Sequence, residues 1–426
     1  MKHLTLVVLT GMLLAREPAA AENLPNIVWL IADDQRWDHY SFMGHPWIRT
    51  PHLDRLAAQS LVFERGYVPT SLCRPSLASL ITGLYPSQHG VTGNDPARGR
   101  RDPDQRNAIV QRFLLNPRLP VLLAQRGYLS FQCGKWWEGH YRNGGFTHGM
   151  THGDLRRGGR HGDAGLAIGR RTMRPVFEFI DLAVSERRPF FIWFAPMMPH
   201  LPHTPPERLL RPYLNQGHPP ALARYYAMCQ WWDEVCGELL AYLERKRLTE
   251  NTIIFYVCDN GWVQRRDQAG GAFGGPRGKR SAYDGGLRTP IMIRWPGHVK
   301  PRRDKQHLAS SIDFVPTVLA LLDLRPPRPL PGVNLLQEAA VRERQYLRAE
   351  IYDHDIQDLS DPSKSLLYRC VIGRQWKLIV PAGRADDRFG PTSEALFRIN
   401  LDPEERFNLR SLYPEKAHAL YRFLAR

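Results

Sequence analysis

The chain has 426 residues, of which 43% are hydrophobic and 23% charged, a balance that excludes a disordered protein and allows a large core. Its formal charge of +16 favours anionic partners, either nucleic acid or small anionic substrates such as sulfated or acidic sugars. The basic runs are scattered and no nucleic-acid module accompanies them, so we expect a solvated basic surface and no nucleic-acid partner.

Residues 1–21 have the pattern of a cleavable signal peptide. Lys2 precedes an apolar run at 4–15, and the alanines at 19–21 offer small residues for cleavage. The run is too short to span a membrane stably, and no later stretch is long enough to do so. We therefore predict a secreted or periplasmic protein with no stable membrane span. Its six cysteines are too sparse to imply a disulfide framework.

Three short apolar runs predict the central strands of a buried parallel sheet. The runs at 27–32, 190–195 and 253–258 are continuous rather than alternating, as in strands that are covered on both faces. Helical patterns lie between and around them, at 51–60, after Cys73, and at 119–126, 173–185 and 221–247. We therefore predict an α/β protein in which helices sandwich a large mixed, mostly parallel sheet.

The pattern changes in the last quarter of the chain. An apolar helix is predicted at 313–322, and a connector rich in proline and arginine follows at 324–332. Short strands separated by turns come next, at 346–351, 368–372, 376–380 and 395–399, and a helix is predicted near 414–424. We therefore predict a main domain over 22–335 and a smaller C-terminal subdomain with an antiparallel sheet over 336–426.

Polar residues follow each of the central strands. Asp33 and Asp34 follow the first strand, a loop with His200 follows the second, and Asp259 and Asn260 follow the third. Because ligands of open α/β sheets bind beyond the carboxyl ends of the strands, we expect these residues to converge. Their oxygens suit a hard cation, Ca²⁺ or Mg²⁺, and not zinc. An Asp pair after a strand also serves as a turn or helix cap, but the two strand ends together favour a metal.

Cys73 stands at the predicted start of a helix. Thr70 or Ser71 is suited to be the N-cap, and Pro75 suits the first helical position. Free amides and the helix dipole at such a position favour an anion and lower the pKa of a thiol. The stretch therefore indicates either a reactive centre that handles an anionic group or a buried cysteine before an ordinary helix.

Two lysines and two histidines lie in loops that could reach the same site. Lys135 and Lys279 are either solvated cations or point charges that hold a tetrahedral anion. His200 and His203, set among prolines, are either surface residues or proton donors to a leaving oxygen near neutral pH. The stretch at 141–171 is rich in Gly, Arg and His, and it is either a long loop over the site or a flexible surface insertion.

In these residues the chain resembles the type I sulfatases of the alkaline-phosphatase superfamily. The resemblance extends over nearly the whole chain after the signal peptide, and the order and number of its motifs argue against chance. The motifs that carry it lie at 25–34, 50–57, 73–77 with 82–86, 134–136, 199–200, 259–261 and 283–290.

The resemblance implies a role for each candidate residue. Cys73 would be oxidised to formylglycine by a formylglycine-generating enzyme, and the hydrate of that group would attack the sulfur of a sulfate ester. Lys135 and Lys279 would hold the sulfate, and His200 would protonate the leaving alcohol. We further predict that Arg74, His203 and Trp137 bind the substrate. The ion, which is Ca²⁺ rather than Mg²⁺ by resemblance, would be bound by Asp33, Asp34, Cys73, Asp259 and Asn260.

Two positions depart from the family pattern. Leu77 stands where the Cys-x-Pro-x-Arg motif has arginine, and leucine can neither hold the hydrate nor complete the usual signal for the maturing enzyme. Trp137 stands where a catalytic histidine is expected, and His140 or a histidine of the following loop is a candidate replacement. Three functions therefore stay open. They are a calcium-dependent sulfatase of sulfated carbohydrates, a phosphodiester or phosphonate ester hydrolase using unmodified Cys73 or metal-bound water, and a non-catalytic protein that binds anionic glycans.

Overall fold

The computed structural model describes residues 24–97, 102–263 and 277–424, so the expected signal peptide at 1–21 lies outside the described residues. The strands are β1 (Asn26–Ala32), β2 (Leu61–Tyr67), β3 (Asp95–Pro96), β4 (Leu129–Gly134), β5 (His148–Gly149), β6 (Phe190–Ala195), β7 (Thr252–Cys258), β8 (Arg288–Arg294), β9 (Arg302–Asp304), β10 (Ala309–Ser310), β11 (Tyr346–Tyr352), β12 (Asp355–Ile356), β13 (Leu366–Gly373), β14 (Lys377–Pro381) and β15 (Ala395–Phe397). The helices are α1 (Pro51–Ala58), α2 (Cys73–Thr82), α3 (Pro86–His89), α4 (Pro103–Leu114), α5 (Leu119–Ala124), α6 (Arg174–Ser185), α7 (Glu207–Asn215), α8 (Pro220–Arg245), α9 (Asp284–Leu287), α10 (Phe314–Leu321), α11 (Glu338–Glu343) and α12 (Pro414–Tyr421).

The main sheet has the strand order β10-β2-β8-β7-β1-β6-β4-β5, with β9 paired to β2. Strand β1 is parallel to both of its neighbours, β6 and β7, and β4 is parallel to β6. Strand β8 runs antiparallel between β7 and β2, which makes the sheet mixed. The predicted large, mostly parallel sheet is therefore confirmed.

Helices cover both faces of this sheet, which explains why its strands are apolar throughout. Ile27, Trp29 and Ile31 of β1 point into one core with helices α2 and α10, and the ring of Trp29 meets Phe314 edge-on at 5.5 Å. The intervening residues of β1 point into a second core with helices α6 and α8, where Trp232 stacks on Phe194. Since each face has its own core, alternate residues of a strand are both buried.

The C-terminal part forms a separate antiparallel sheet in the order β11-β13-β14-β15, as predicted. Helix α12 covers one face through Ala417 and Leu420. Alternate residues on the other face, such as Leu347 and Ala349, join the same core as helix α2. The proposed boundary between 335 and 336 stays a prediction, and the second sheet itself begins at Tyr346.

Two local expectations were wrong. Helix α2 begins at Cys73 with Leu72 as its N-cap and has no side-chain cap, so neither Thr70 nor Ser71 caps it. Pro75 is consequently the third helical residue rather than the first, a position in the first turn where a proline still costs no intrahelical hydrogen bond.

Within the described residues, no helix combines the length and the apolar character needed to cross a membrane.

Candidate active site

Three loops meet at the carboxyl ends of strands β1, β6 and β7. The Asp259 amide donates to the Ala32 carbonyl at 3.0 Å, and the Asp33 amide donates to the Met198 carbonyl at 2.8 Å. Asp34 has a left-handed backbone conformation with φ of 63°, and its amide donates to Asp259 Oδ1 at 3.3 Å. The hydrogen bonds between strands therefore continue into the loops, and they bring together residues far apart in sequence.

A compact group of acidic, amide and ammonium side chains lies at this point, and we call it the Asp33 cluster. Asp34 Oδ1 accepts from Asn260 Nδ2 at 2.6 Å and from Lys279 Nζ at 2.5 Å. Lys135 Nζ lies 2.6 Å from Asp33 Oδ1 and 3.3 Å from Asp259 Oδ2. The members of the cluster are Asp33, Asp34, Asp259, Asn260, Lys135 and Lys279.

Three oxygens of the Asp33 cluster are buried without a hydrogen-bond donor among the described residues. They are Oδ2 of Asp33, Oδ2 of Asp34 and Oδ1 of Asn260. A buried oxygen without a donor costs about 1–3 kcal/mol, and more if it is charged, so three in one place need a partner of positive charge. Carboxylate and amide oxygens are the donors that Ca²⁺ and Mg²⁺ prefer, so the residues present fit such an ion.

The charge of the cluster points the same way. With its three carboxylates ionised, it sets three negative charges against two ammonium groups in a buried site. Burial opposes ionisation of Asp34, but Lys279, His200 and Lys135 outweigh it and hold the pKa of Asp34 well below its usual value. Burial raises the pKa of Asp259, and the neighbouring Asp33 carboxylate adds to the shift. A divalent cation would relieve this crowding and leave a site that attracts an anion.

Cys73 lies at the edge of the Asp33 cluster. Its Sγ is 2.7 Å from Lys279 Nζ and 3.9 Å from Asp34 Oδ1, and the residue is buried. Burial raises the pKa of the Cys73 thiol to about 12, although Lys135 and Lys279 oppose the shift. The expectation that the helix terminus lowers this pKa was therefore wrong, because desolvation outweighs the favourable charges. Ligand atoms of Cys73, Asp33, Asp34 and His200 all lie within 4.8 Å of one another.

The two predicted histidines lie at different depths on the loop after β6. His200 Nδ1 donates to the Leu201 carbonyl at 2.5 Å, so its Nε2 faces Asp34 Oδ2 at 3.5 Å. His203 packs against the Tyr225 ring with 5.6 Å between centroids, and burial lowers its pKa to about 4. The structure thus brings His200 to the Asp33 cluster, and it places His203 beside an aromatic wall.

Arg74 does not reach into the cluster. Its guanidinium is fully buried and donates to both carboxylate oxygens of Glu138, at 2.9 and 2.6 Å, and to the Asn94 carbonyl at 3.3 Å. The guanidinium donors of this bidentate pair are therefore already occupied by protein acceptors. The expectation that Arg74 binds the substrate therefore gives way to a structural role, in which Arg74 joins the start of α2 to the loop after β4. Sequence reasoning missed Glu138, whose only signal was its place beside Trp137.

Trp137 packs against the loop at 141–171. His161 meets the Trp137 ring edge-on at 5.3 Å, and the His161 carbonyl accepts from the Trp136 amide at 3.1 Å. Nδ1 of His161 and Nε1 of Trp137 are both buried without a partner among the described residues. Burial lowers the pKa of His161 to about 3, and Lys135 adds to this shift. Of the loop histidines, His161 is thus the one that packs on Trp137, a contact that sequence reasoning did not single out.

The loop at 141–171 is anchored rather than loose. The Asp163 carboxylate accepts from the amides of His152, Gly153 and Asp154, at 2.7 to 3.1 Å. At Gly165 a Cβ atom would lie only 2.7 Å from the Gly134 carbonyl, so the loop packs directly on the end of strand β4. A loop held in this way keeps its side chains at fixed positions beside Lys135.

Comparisons with known proteins agree with this geometry. The family model "Sulfatase" matches residues 25–324, and the model "N-sulphoglucosamine sulphohydrolase, C-terminal" matches residues 275–420. The fold and the acidic site define an α/β protein with a candidate active site at the carboxyl ends of its central strands. Because the first model covers well over half of the chain, the chain belongs to the sulfatase family.

Individual relatives show how far the likeness extends. N-acetylgalactosamine-6-sulfatase of Canis lupus familiaris is 30% identical in an alignment 360 residues long, which covers 75% of this chain and 66% of that protein. The chain thus spans slightly less than two thirds of the length of this relative. A solved structure described as a complex with its substrate D-glucosamine-2-N,6-O-disulfate has a TM-score of 0.72 at 19% identity, covering 94% and 97% of the two chains. The phosphonate monoester hydrolase of Agrobacterium radiobacter has a TM-score of 0.71 at 20% identity, covering 94% and 95%.

Proposed function

We propose that this protein is a metal-dependent sulfuric ester hydrolase that removes sulfate from a sulfated carbohydrate. The observation that carries the proposal is the set of three buried oxygens for which the described part of the chain offers no hydrogen-bond donor, beside Cys73 and two lysines. The set fits a divalent cation, and the lysines would hold the anionic group that the cation attracts. By its name, the relative N-acetylgalactosamine-6-sulfatase acts on a sulfated sugar, and a solved structure of similar fold is described as a complex with a sulfated glucosamine substrate.

In this proposal each residue has one role. Ca²⁺, or less favourably Mg²⁺, would be bound by the oxygens of the Asp33 cluster and by residue 73, and it would polarise the sulfate and offset its charge. Cys73 is the precursor of the nucleophile and becomes formylglycine through a formylglycine-generating enzyme. Lys135 and Lys279 orient the sulfate oxygens, and His200 Nε2 carries the proton for the leaving alcohol.

The two departures from the family pattern set the remaining roles. We assign to His161 the place of the histidine missing at 137, because His161 packs on Trp137 and its buried Nδ1 has no hydrogen-bond partner among the described residues. We further assign Trp137 and His203 to contact with the sugar. A secreted or periplasmic location follows from the N-terminal pattern at 1–21 and remains part of the proposal.

A second candidate is hydrolysis of a phosphonate or phosphodiester ester. It is favoured by Leu77, which is buried in the apolar core and offers no charge to the nucleophile, and by the similar fold of the phosphonate monoester hydrolase. In this reading Cys73 stays unmodified. The binding-protein alternative predicts the same unmodified residue and no turnover.

The test combines a mass measurement with an activity measurement on protein purified from its native host. We expect the peptide that contains residue 73 to have the mass of formylglycine, and the protein to hydrolyse 4-nitrophenyl sulfate in Ca²⁺ but not after treatment with EGTA. Unmodified Cys73 with hydrolysis of a phenyl phosphonate ester would instead establish the second candidate. Unmodified Cys73 with neither activity would leave only the binding protein.

A further inference from the structure

A cavity of about 600 Å³ adjoins the proposed active site, and none of the roles above uses it. One wall comes from the loop at 141–171, and a second comes from Met197 and Pro202, on either side of His200. The third wall is Trp231 of helix α8. This volume is within the range of pockets that hold small organic ligands, and it suits one to two sugar rings.

Arginine dominates the charge of this cavity. Arg157, Arg170 and Arg171 line it, and Asp163 is the acidic residue among the lining residues. The Asp163 carboxylate is already occupied by backbone amides of the loop, so its charge is largely compensated. Arg171 is exposed, and its guanidinium makes no hydrogen bond or ion pair within the described part of the chain. The cavity therefore presents an excess of positive charge to its contents.

Arg170 connects the cavity to the active site. Its guanidinium donates to the carbonyls of Met197 and His200, at 2.5 and 2.9 Å, and its Cζ lies 5.9 Å from the centre of the Trp231 ring. Burial lowers the pKa of Arg170, and the Asp33 carboxylate is the charge that opposes this shift. The wall of the cavity is thus within electrostatic reach of the Asp33 cluster, and the His200 loop is shared by both.

We propose that this cavity is a second anion subsite, which binds a sulfate or carboxylate group on the sugar next to the one that is cleaved. Guanidinium groups recognise both anions in a planar, bidentate manner, and Trp231 offers its ring to the face of a sugar. The inference rests on the proposed function and narrows it, since the substrate would be an oligosaccharide with at least two anionic groups.

The test measures binding rather than turnover, on the full-length protein with the Cys73→Ser substitution. The probes are a polysulfated tetrasaccharide and the same tetrasaccharide with a single sulfate, both at physiological salt. We expect Arg171→Ala to weaken binding of the polysulfated probe about 10-fold and to change binding of the singly sulfated probe much less. Arg157→Ala should act in the same direction. Both residues are exposed, so circular dichroism should show unchanged folding.

The control is Arg174→Ala, three residues further along. Arg174 is exposed, forms an ion pair with Glu178, and does not line the cavity. Equal effects of Arg171→Ala and Arg174→Ala would mean that only general surface charge attracts the probe, and the subsite would be refuted. Equal affinity of the Cys73→Ser protein, without a further substitution, for the two probes would refute it as well. Selective binding by the Cys73→Ser protein, together with no hydrolysis of any sulfate ester by the protein that keeps Cys73, would keep the subsite and overturn the proposed function instead.

Discussion

The Asp33 cluster and a second buried group of charges use the same types of residue to opposite ends. The second group, here the Lys377 cluster, joins Lys377 of β14 to Asp284 at the start of α9 and to Glu405 in the loop after β15. Lys377 Nζ lies 2.9 Å from Asp284 Oδ1 and 2.8 Å from Glu405 Oε1. Asp284 Oδ2 accepts from the Tyr67 hydroxyl at 3.1 Å, and Glu405 Oε2 accepts from the Asp284 amide at 2.6 Å.

Three of the four carboxylate oxygens of the Lys377 cluster accept a hydrogen bond, and the fourth, Glu405 Oε1, lies 2.8 Å from Lys377 Nζ without one. In the Asp33 cluster, three oxygens lack a hydrogen-bond donor among the described residues. The Lys377 cluster connects the C-terminal sheet to the main sheet, and its closure suits a purely structural role. A buried, charged oxygen without a hydrogen-bond donor is costly. Several of them in one place therefore indicate a site for a ligand that binds these oxygens. The number of buried oxygens without a hydrogen-bond donor among the described residues, three against one, thus separates the two regions, whereas burial does not.

The most direct test of this difference replaces one aspartate by asparagine in each cluster. Asp33→Asn removes a charge from the Asp33 cluster, while Lys135 keeps Asp259 as a partner. We expect kcat/KM for a sulfate ester to fall more than the ~10–100-fold typical of residues that only support a metal ligand. The free energy of unfolding without added metal should change by about 1 kcal/mol or less, because repulsion among the three carboxylates is relieved.

Asp284→Asn is the matched substitution in the Lys377 cluster. It should lower stability in urea and leave kcat/KM per folded molecule close to that of the wild-type protein. If Asp33→Asn instead lost stability and kept its activity, the division between an open and a closed cluster would be wrong.

Removing the cation of the closed cluster should have the largest effect on stability. Lys377→Met leaves Asp284 and Glu405 buried without their shared ammonium group, and breaking such a pair costs about 3–5 kcal/mol. Urea unfolding followed by circular dichroism measures the loss. Lys416→Met, at an exposed position on helix α12, is the control and should change stability by less than about 0.5 kcal/mol. Equal losses in the two variants would contradict the role of the cluster.

How much of the candidate site could be predicted from the sequence depends on how far apart in the chain the interacting residues lie. Asp33, Asp34, Asp259 and Asn260 could be placed together because parallel strands end at one edge of a sheet, and local pattern marks those ends. The partner of Arg74 could not be predicted, since nothing local says that Glu138, 64 positions later, takes its guanidinium. The charge of Arg74 suggested that this residue binds the substrate. In the structure, its guanidinium forms a buried ion pair with Glu138.

Strand β8 and the cap of helix α2 show a second limit. Strand β8 has arginine at both ends and Pro290 inside, so its short apolar centre gave no signal as strong as that of β1. The structure inserts β8 antiparallel between two strands that come earlier in the chain, a pairing fixed by tertiary packing. At Cys73 the helix start was placed correctly within two residues, but the pKa of the thiol depended on burial that only the fold determines.

Calcium binding gives a smaller and more specific distinction. Because the ion would bind the folded state alone, free Ca²⁺ at 100 times its dissociation constant should stabilise the protein by about 2.7 kcal/mol. Thermal unfolding in Ca²⁺ and in EGTA measures this difference. We expect Asp33→Asn to abolish most of it and Lys377→Met to keep it on a lower baseline. If the calcium-dependent shift survived in Asp33→Asn and disappeared in Lys377→Met, Ca²⁺ would bind at the Lys377 cluster. The proposed site in the Asp33 cluster would then be wrong.

His89 tests the same idea of completeness through pH. Its Nδ1 accepts from the Val91 amide at 3.1 Å, so its Nε2 carries the proton and faces Ser79 Oγ at 2.9 Å, on the helix that begins at Cys73. Both nitrogens are therefore satisfied only in the neutral ring. Burial lowers the pKa of His89 to about 3, well below the value of about 6.5 in an unfolded chain.

The sign of the pH effect follows from this shift. The unfolded chain takes up the proton first, so the stabilising contribution of neutral His89 is fully present above pH 6.5 and is lost as the pH falls toward 3. We expect His89→Gln to reduce the slope of unfolding free energy against pH between 6 and 4 by about 1.4 kcal/mol per pH unit. His298→Gln, at an exposed position, should leave the slope unchanged. An unaltered slope in His89→Gln would show that the buried ring tolerates its charge, and that incomplete contacts cost less here than the comparison of the two clusters requires.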